Sequence, residues 1–173
     1  LIVSANYCKI LGQLVLVPAA ANSGLLVSGS YGYFKDITAS TGDINFEITG
    51  AGNTLIDCVG AAATATSFSL AGNSNTLNNC STAGVGATVG YSINNEADYC
   101  VIKNSTSLGH ATAGFNISAL STGCTIQNCA SGGGDGKKVD SGTLNVWSNF
   151  TPRHHVQLFG GHIWYVDTTN GAN

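Results

Sequence analysis

The strongest constraint on this sequence is a repeat in which two short motifs recur together every 22 to 25 residues. The first motif is an aromatic, a polar and an aliphatic residue, and it reads Phe46-Glu47-Ile48, Phe68-Ser69-Leu70, Tyr91-Ser92-Ile93 and Phe115-Asn116-Ile117. The second motif reads Thr54-Leu55-Ile56-Asp57-Cys58, Thr76-Leu77-Asn78-Asn79-Cys80, Val101-Ile102-Lys103-Asn104-Ser105 and Thr125-Ile126-Gln127-Asn128-Cys129. Two motifs with a common spacing indicate a solenoid, in which each repeat forms one coil that stacks on the next.

Each motif predicts a short strand. Phe46 and Ile48 are two residues apart, which places them on one side of a strand and Glu47 on the other. A helix would need apolar residues three and four apart, and the motifs lack that spacing. Gly, Asn and Ser follow the strands and permit tight bends. We therefore predict an all-β fold, a single-stranded parallel β-helix of about 5–6 coils whose backbone groups pair between coils.

The repeat also predicts how the chain is organised. It extends backwards to Leu25 and Val27, and it weakens forwards, where Val139 and Leu144-Asn145-Val146 are its expected continuation. We predict a cap or entry strands at 1–24, the parallel β-helix at 25–148 and a segment at 149–173. That last segment is expected to close the solenoid or contact partner chains, and to lead into a further module.

Two columns of the second motif carry residues that would otherwise suggest functional sites. Cys58, Cys80 and Cys129 share one column with Ser105, which indicates a place for a small side chain and predicts free, packed thiols, with a disulfide framework as the alternative. The preceding column is polar and consists of Asp57, Asn79, Asn104 and Asn128. By strand alternation it is expected to point inward, near a turn, and to form a ladder of hydrogen-bonded side chains.

Composition removes several classes of function. Only 9% of the residues are charged, and the formal net charge is −3. Nucleic-acid binding needs clustered Lys and Arg, so none is expected. No stretch reaches the length of a membrane-spanning segment, so membrane insertion is not expected either. His154 and His155 are adjacent in the sequence, and we predict no metal and no cofactor.

The aromatic column, the Thr-Leu/Ile-x-Asn-Cys column and the coil length resemble those of right-handed parallel β-helix proteins, over about Gly24 to Val146. Among them are pectate-lyase-like enzymes and bacteriophage tailspikes and tail fibres. The low charge and the surface rich in Ser, Thr, Asn and Gly are more similar to a phage tail protein. The resemblance implies a homotrimer in the virion tail, acting outside the cell. Its expected role is attachment to host-surface polysaccharide or a structural link to other tail proteins.

The alternative is an enzyme that degrades polysaccharide. Glycoside hydrolysis needs two nearby carboxyl groups. Glu96 and Asp98, in a turn two residues longer than its counterparts, are the candidate catalytic pair, although a solvated turn accounts for them as well. Lyase chemistry would need a basic residue, and Arg153, the only arginine, lies outside the repeats. These observations favour a module without activity, with a polysaccharide depolymerase as the alternative.

Outward-facing residues supply the candidate binding sites. One polar stripe and part of a second are expected to bind glycan, through Glu47, Ser69, Ser92, Asn116, Lys103 and Gln127. Tyr31, Tyr33 and Tyr99 lie near turns, where they could stack on sugar rings. A third hypothesis is an ice-binding solenoid, suggested by Ala63-Thr64-Ala65-Thr66 and continued in part by Thr88 and Thr112.

Overall fold

The computed structural model describes residues 1–19, 21–83, 89–132 and 138–153. The predictions made for 154–173, the histidine pair among them, and for Thr88 lie outside these residues. Within them the chain forms strands and no helix. The strands are β1 (Ile2–Val3), β2 (Lys9–Leu16), β3 (Leu25–Val27), β4 (Tyr33–Ser40), β5 (Ile44–Ile48), β6 (Thr54–Ile56), β7 (Val59–Ala61), β8 (Thr66–Leu70), β9 (Thr76–Asn78), β10 (Ser81–Ala83), β11 (Val89–Ile93), β12 (Val101–Lys103), β13 (Thr106–Leu108), β14 (Ala113–Ile117), β15 (Thr125–Gln127), β16 (Ala130–Gly132), β17 (Lys138–Asp140), β18 (Val146–Ser148) and β19 (Thr151–Arg153).

The strands stack into three faces. Face 1 is the seven-stranded sheet β1-β3-β5-β8-β11-β14-β17. A second sheet, of twelve strands, divides at the long strand β4, whose first half pairs with β6 and whose second half pairs with β7. Face 2 continues from β6 through β9, β12, β15 and β18, and face 3 continues from β7 through β10, β13, β16 and β19. All the pairs are parallel, so the predicted parallel β-solenoid is confirmed, with about six turns.

The interior of the solenoid is built from the predicted columns. Phe46, Phe68, Tyr91 and Phe115 are in register and stack with ring centroids 4.5, 5.0 and 4.6 Å apart. All four side chains are buried. Burying a large apolar side chain contributes about 1.5–3 kcal/mol, and an aromatic pair adds about 0.5–1.5 kcal/mol. The same gain recurs in each coil, which explains why the repeat is readable in the sequence.

The cysteines pack as predicted. Cys58, Cys80, Ser105 and Cys129 follow one another at the start of face 3, and the three thiols are buried. All six cysteines of the chain lie within the described segments, and all are free. Burial raises the pKa of the Cys129 thiol, which therefore behaves as a small neutral group.

The predicted ladder exists, but its expected direction was wrong. Asn79 donates to Asp57 at 2.7 Å, Asn128 to Asn104 at 3.2 Å and Asn149 to Asn128 at 2.9 Å. Asn104 donates to Asn78 at 2.9 Å, so one step of the ladder passes through the neighbouring column. The asparagines of this ladder are exposed, at the corner between faces 2 and 3. The cause is the backbone, because each of these residues has a positive φ of 49–55°. A left-handed residue interrupts strand alternation and turns its side chain outward.

A second amide ladder, which the sequence did not reveal, lies inside. Asn53 and Asn75 are fully buried at the corner between faces 1 and 2. The Asn53 side-chain oxygen accepts from the Gly32 amide at 2.7 Å, and the Asn75 oxygen accepts from the Asn53 amide at 2.7 Å. Cys100 and Cys124 occupy the corresponding place in the following coils. This column satisfies backbone groups that the corner would otherwise bury without partners.

The last described coil closes the aromatic stack differently from the earlier ones. Val139 pairs with Asn116, so it does not continue the aromatic column. Trp147 and Phe150 instead pack edge-on against Phe115, with ring centroids 6.5 and 5.3 Å away. The indole nitrogen of Trp147 donates to the Asp140 carboxylate at 2.6 Å. Aromatic bulk therefore covers the interior at this end of the described chain.

Candidate functional site

Glu96 and Asp98 both lie at the corner between faces 1 and 2, in the turn from β11 to β12. The Asp98 carboxylate accepts a hydrogen bond from the Thr122 amide at 2.7 Å, and the Asp98 amide donates to the Asn73 side chain at 2.9 Å. Asp98 therefore ties its coil to the coils on both sides. Glu96 is exposed, and its side chain has no hydrogen bond or ion pair with any other described residue. The catalytic pair remains a prediction.

The enlarged turn is shared by two coils. Seven residues lie between Ile93 and Val101 and seven between Ile117 and Thr125, against five between Leu70 and Thr76. The two long turns stack on each other, and the Ser121 hydroxyl donates to the Asn94 carbonyl at 2.6 Å. The insertion is thus a paired protrusion from the corner.

The first predicted stripe is in register on the outer side of face 1. Glu47 pairs with Ser69, Ser69 with Ser92, and Ser92 with Asn116. Asn94 joins the stripe, because its side chain donates to Ser69 at 2.9 Å and accepts from Ser92 at 2.8 Å. Asn116 also donates to Ser92 at 3.5 Å, so these four side chains form one hydrogen-bonded network, in which Ser69 is buried.

The second stripe lies on another face. Lys103 and Gln127 are in register on the outer side of face 2. Neither side chain makes a hydrogen bond or ion pair with another described residue. The corner between faces 1 and 2 separates this stripe from Glu47, Ser69, Ser92 and Asn116. The structure therefore does not bring the two groups of candidate binding residues together.

The predicted threonine array is interrupted. Thr66 pairs with Ile44 on one side and Val89 on the other, and Val89 pairs with Ala113. The Thr64 hydroxyl is bonded to the Asp43 carboxylate at 2.8 Å. A flat ladder of threonines does not form along this column of face 1.

The corner between faces 1 and 2 carries a feature that the sequence only hinted at. One residue in each coil, two positions before the face 2 strand, has a left-handed backbone. These residues are, along the solenoid axis, Tyr7, Tyr31, Gly52, Ser74, Tyr99, Gly123 and Leu144, with φ of 56°, 58°, 69°, 58°, 55°, 67° and 55°. We refer to them as the corner column.

The three tyrosines of the corner column are exposed. Tyr7, Tyr31 and Tyr99 present 76%, 59% and 63% of their surface to solvent. The rings of Tyr7 and Tyr31 stack, with centroids 5.3 Å apart and planes 16° apart. The Tyr31 ring also covers Gly52, and the Tyr99 ring covers Gly123, where a Cβ atom would stand 2.8 Å from a ring carbon. Each ring therefore rests on the corner of the next coil.

Bulky side chains, those of Leu144 and the three tyrosines, hold left-handed positions at this corner, and the neighbouring corner differs. The corner between faces 2 and 3 has the same backbone requirement and meets it with Asp and Asn, whose short polar side chains tolerate positive φ. A left-handed bulky residue costs roughly 1–2 kcal/mol. Backbone strain of this kind persists most often at functional sites. We define the tyrosine ridge as Tyr7, Tyr31, Glu96 and Tyr99, and it is the candidate functional site.

Tyr33, also considered for sugar stacking, lies in face 2 and is half-buried. The Lys9 ammonium stands 5.8 Å from its ring centroid.

Within the described part of the chain, no three His, Cys, Asp or Glu side chains are grouped so as to hold a metal ion. Nor do these residues include a helix long and apolar enough to cross a membrane.

No protein family matches the chain by sequence, and none of the curated proteins or solved structures compared with it is similar enough to count as a match.

Proposed function

We propose that this chain is a β-solenoid module of a bacteriophage tailspike or tail fibre, and that it attaches to host-surface polysaccharide through the tyrosine ridge. The observation that supports the proposal is the exposure of Tyr7, Tyr31 and Tyr99 at backbone positions that disfavour them. A chain selected for stability alone would place Gly, Asn or Asp there, as it does at the neighbouring corner.

The chemistry of the ridge suits a glycan. Aromatic rings offer an apolar surface on which the C–H faces of a sugar can pack, with a hydroxyl at the rim. Asn94, Ser92 and Asn116 lie beside the ridge on face 1 and supply donors and acceptors for sugar hydroxyls. An open ridge running along the axis favours a long polymer, because sites for small molecules are usually concave. A polymer that contacts several coils gains affinity from each one.

The proposal includes a homotrimeric assembly with other tail proteins in the virion. Face 3 supports a protein contact, because its strands β7, β10, β13 and β16 contain no charged residue, and Leu108 is 47% exposed there. Depletion of charge is typical of the centre of a protein interface. Light scattering should then give three times the chain mass of 17.6 kDa. Leu108→Asp should dissociate the trimer, and a stable monomer in the unsubstituted protein would count against this part of the proposal.

The test of attachment uses purified polysaccharide from candidate host surfaces, immobilised, with binding measured for three variants. Tyr31→Ala combined with Tyr99→Ala should weaken binding about 5- to 150-fold, since each aromatic contact contributes about 0.5–1.5 kcal/mol. Asp57→Asn, a change at the corner between faces 2 and 3, in a column where Asn is the usual residue, is the matched control and should bind like the original. Equal binding by the double variant, with unchanged circular dichroism, would rule out the ridge.

A further inference from the structure

We propose that the glycan bound by the tyrosine ridge carries amino groups, one of which pairs with Glu96. This inference rests on the proposed attachment function and names the chemical class of its ligand. It is argued from the charges at the corner between faces 1 and 2, from the partners of those charges and from the spacing of the rings.

The corner is acidic. Its turns, at 4–8, 28–32, 49–53, 71–75, 94–100, 118–124 and 141–145, contain Glu96 and Asp98 and no Lys, Arg or His. Glu47 adds a third carboxylate beside the corner, on face 1. A cationic substituent is therefore attracted at the Tyr99 end of the ridge, and an anionic one is repelled there.

The basic residues nearest to the ridge lie to its side or near the ends of the described solenoid. Lys35, on face 2 four residues beyond Tyr31, stands 4.0 Å from the Asp36 carboxylate and 3.6 Å from that of Asp57. Lys9 is in the first coil, against Tyr33, and the Lys138 ammonium stands 4.3 Å from the ring centroid of Trp147 in the last. Lys103 is on face 2, four residues beyond Tyr99, which is about 13 Å of extended chain. None of these cations neutralises the carboxylate of Glu96.

Glu96 is the carboxylate available for a ligand. One oxygen of Asp98 is held by the Thr122 amide, and one oxygen of Glu47 accepts from the Ser23 hydroxyl at 2.5 Å. Glu96 stands three residues from Tyr99 in the same turn, and it has no bond to another described residue. A carboxylate beside an exposed ring can contact the charged substituent of a sugar that lies on the ring.

Ring spacing indicates the direction of the ligand. Tyr31 and Tyr99 are three coils apart, or about 14 Å at the usual distance between strands. Gly52 and Ser74 occupy the two corner positions between them; the Tyr31 ring lies over Gly52, and Ser74 separates it from the turn of Tyr99. A chain of several sugars lying parallel to the solenoid axis can therefore contact both rings, with its amine at the Tyr99 end.

The experiment compares four oligosaccharides of equal length with one β-1,4-linked glucose backbone. Three of them differ only at carbon 2, which carries a hydroxyl, an N-acetyl or a free amino group, and the fourth is the glucuronic acid oligomer. Dissociation constants are measured by calorimetry at a pH that keeps the amines protonated. The free amine should bind about two- to fivefold more tightly than the hydroxyl form, which is the range for one exposed ion pair. The acidic oligomer should bind most weakly.

Two variants separate this inference from the function on which it rests. Glu96→Gln should remove the preference for the amine, as should about 0.5 M salt, which screens exposed charges. Asp57→Asn is the matched control, because it makes the same charge change at the other corner, in a column where Asn is the usual residue. It should leave the preference intact.

Equal binding of the amine and hydroxyl forms, with both weakened by Tyr31→Ala and Tyr99→Ala, would overturn the charge inference and leave attachment standing. A preference that survives Glu96→Gln would also overturn it. Failure of all four oligomers to bind in a tyrosine-dependent way would overturn the inference, and the attachment function falls only if host-surface polysaccharides fail as well.

Discussion

Replacement of Asn75 by alanine should be among the most destabilising single changes in this chain. The side-chain nitrogen of Asn75 donates to the carbonyls of Gly50 at 2.9 Å and Gly72 at 2.7 Å, and its oxygen accepts from the Asn53 amide at 2.7 Å. Asn75 is fully buried, so water does not reach these groups in the native state.

The magnitude follows from what remains after truncation. The Asn53 amide would be left buried without its acceptor, which costs about 1–3 kcal/mol, and each of the two carbonyls would lose a bond worth about 1 kcal/mol. The free energy of unfolding should therefore fall by about 3–5 kcal/mol. That is a large part of the roughly 5–15 kcal/mol available to a typical domain.

The matched control is Asn79→Gly, four residues away in the exposed ladder. Glycine accepts the positive φ of 54°, and only the exposed bond to Asp57 is lost. We expect a loss of about 1 kcal/mol or less, measured for both variants by urea unfolding. Faster hydrogen exchange at the Asn53 amide should accompany Asn75→Ala. Equal stability of the two variants would refute the view that the buried ladder contributes more to the free energy of unfolding than the exposed ladder at the next corner.

Three further predictions concern the corners and the thiols. Gly123→Ala should lower the free energy of unfolding by about 1–3 kcal/mol, because φ is +67° and the added Cβ would meet the Tyr99 ring. Ser74→Gly, in the same column, should leave that free energy unchanged or raise it, and thermal melts check both variants. Tyr99→Asn should keep or raise the melting temperature while weakening polysaccharide binding, and a parallel loss of both would point to a structural role. Burial raises the pKa of Cys129 above its ordinary value of 9.0, so the stability that this thiol supplies is present below pH 9 and is lost as the unfolded thiol ionises at higher pH. Cys129→Ser, which places the residue of Ser105 in the next coil, should reduce this loss of stability at alkaline pH. An unchanged dependence of the free energy of unfolding on pH would contradict this prediction.

The parts of the fold that could be predicted are those in which one side chain repeats. Phe46, Phe68, Tyr91 and Phe115 must stack in register to fill a narrow interior, so their spacing revealed the coil. The polar stripe that begins at Glu47 was aligned correctly for the same reason. Strand alternation and a fixed coil length determine both results.

The parts that could not be predicted depend on single backbone angles. Asn79 and Asn104 were expected inside because alternation was assumed to continue through a residue whose φ is positive. Tyr31 and Tyr99 gave no sign of a left-handed backbone, since tyrosine rarely adopts it. Asn53 and Asn75 did share an offset, one residue before the second motif, but the substitution of Cys100 in the next coil hid the column.

The candidate site was anticipated only in its pieces. Glu96 and Tyr99 were each noticed, for an enlarged turn and for a possible sugar contact, but the alignment of their turn with Tyr7 and Tyr31 on one ridge depends on how the coils stack. The residues of the second stripe were predicted to bind glycan together with Glu47, but Lys103 and Gln127 align with each other on a different face from Glu47. Spacing along a strand predicts neighbours within a face, and corner geometry decides which faces meet.

The most direct test of the account is a titration of the protein, labelled in its tyrosine rings, with host-surface polysaccharide, followed by nuclear magnetic resonance. The ring signals of Tyr31 and Tyr99 should shift with saturation, and the ring of Tyr91, buried in the aromatic stack, should not. Binding that leaves the signals of Tyr31 and Tyr99 unchanged would contradict the assignment of the tyrosine ridge as the attachment surface.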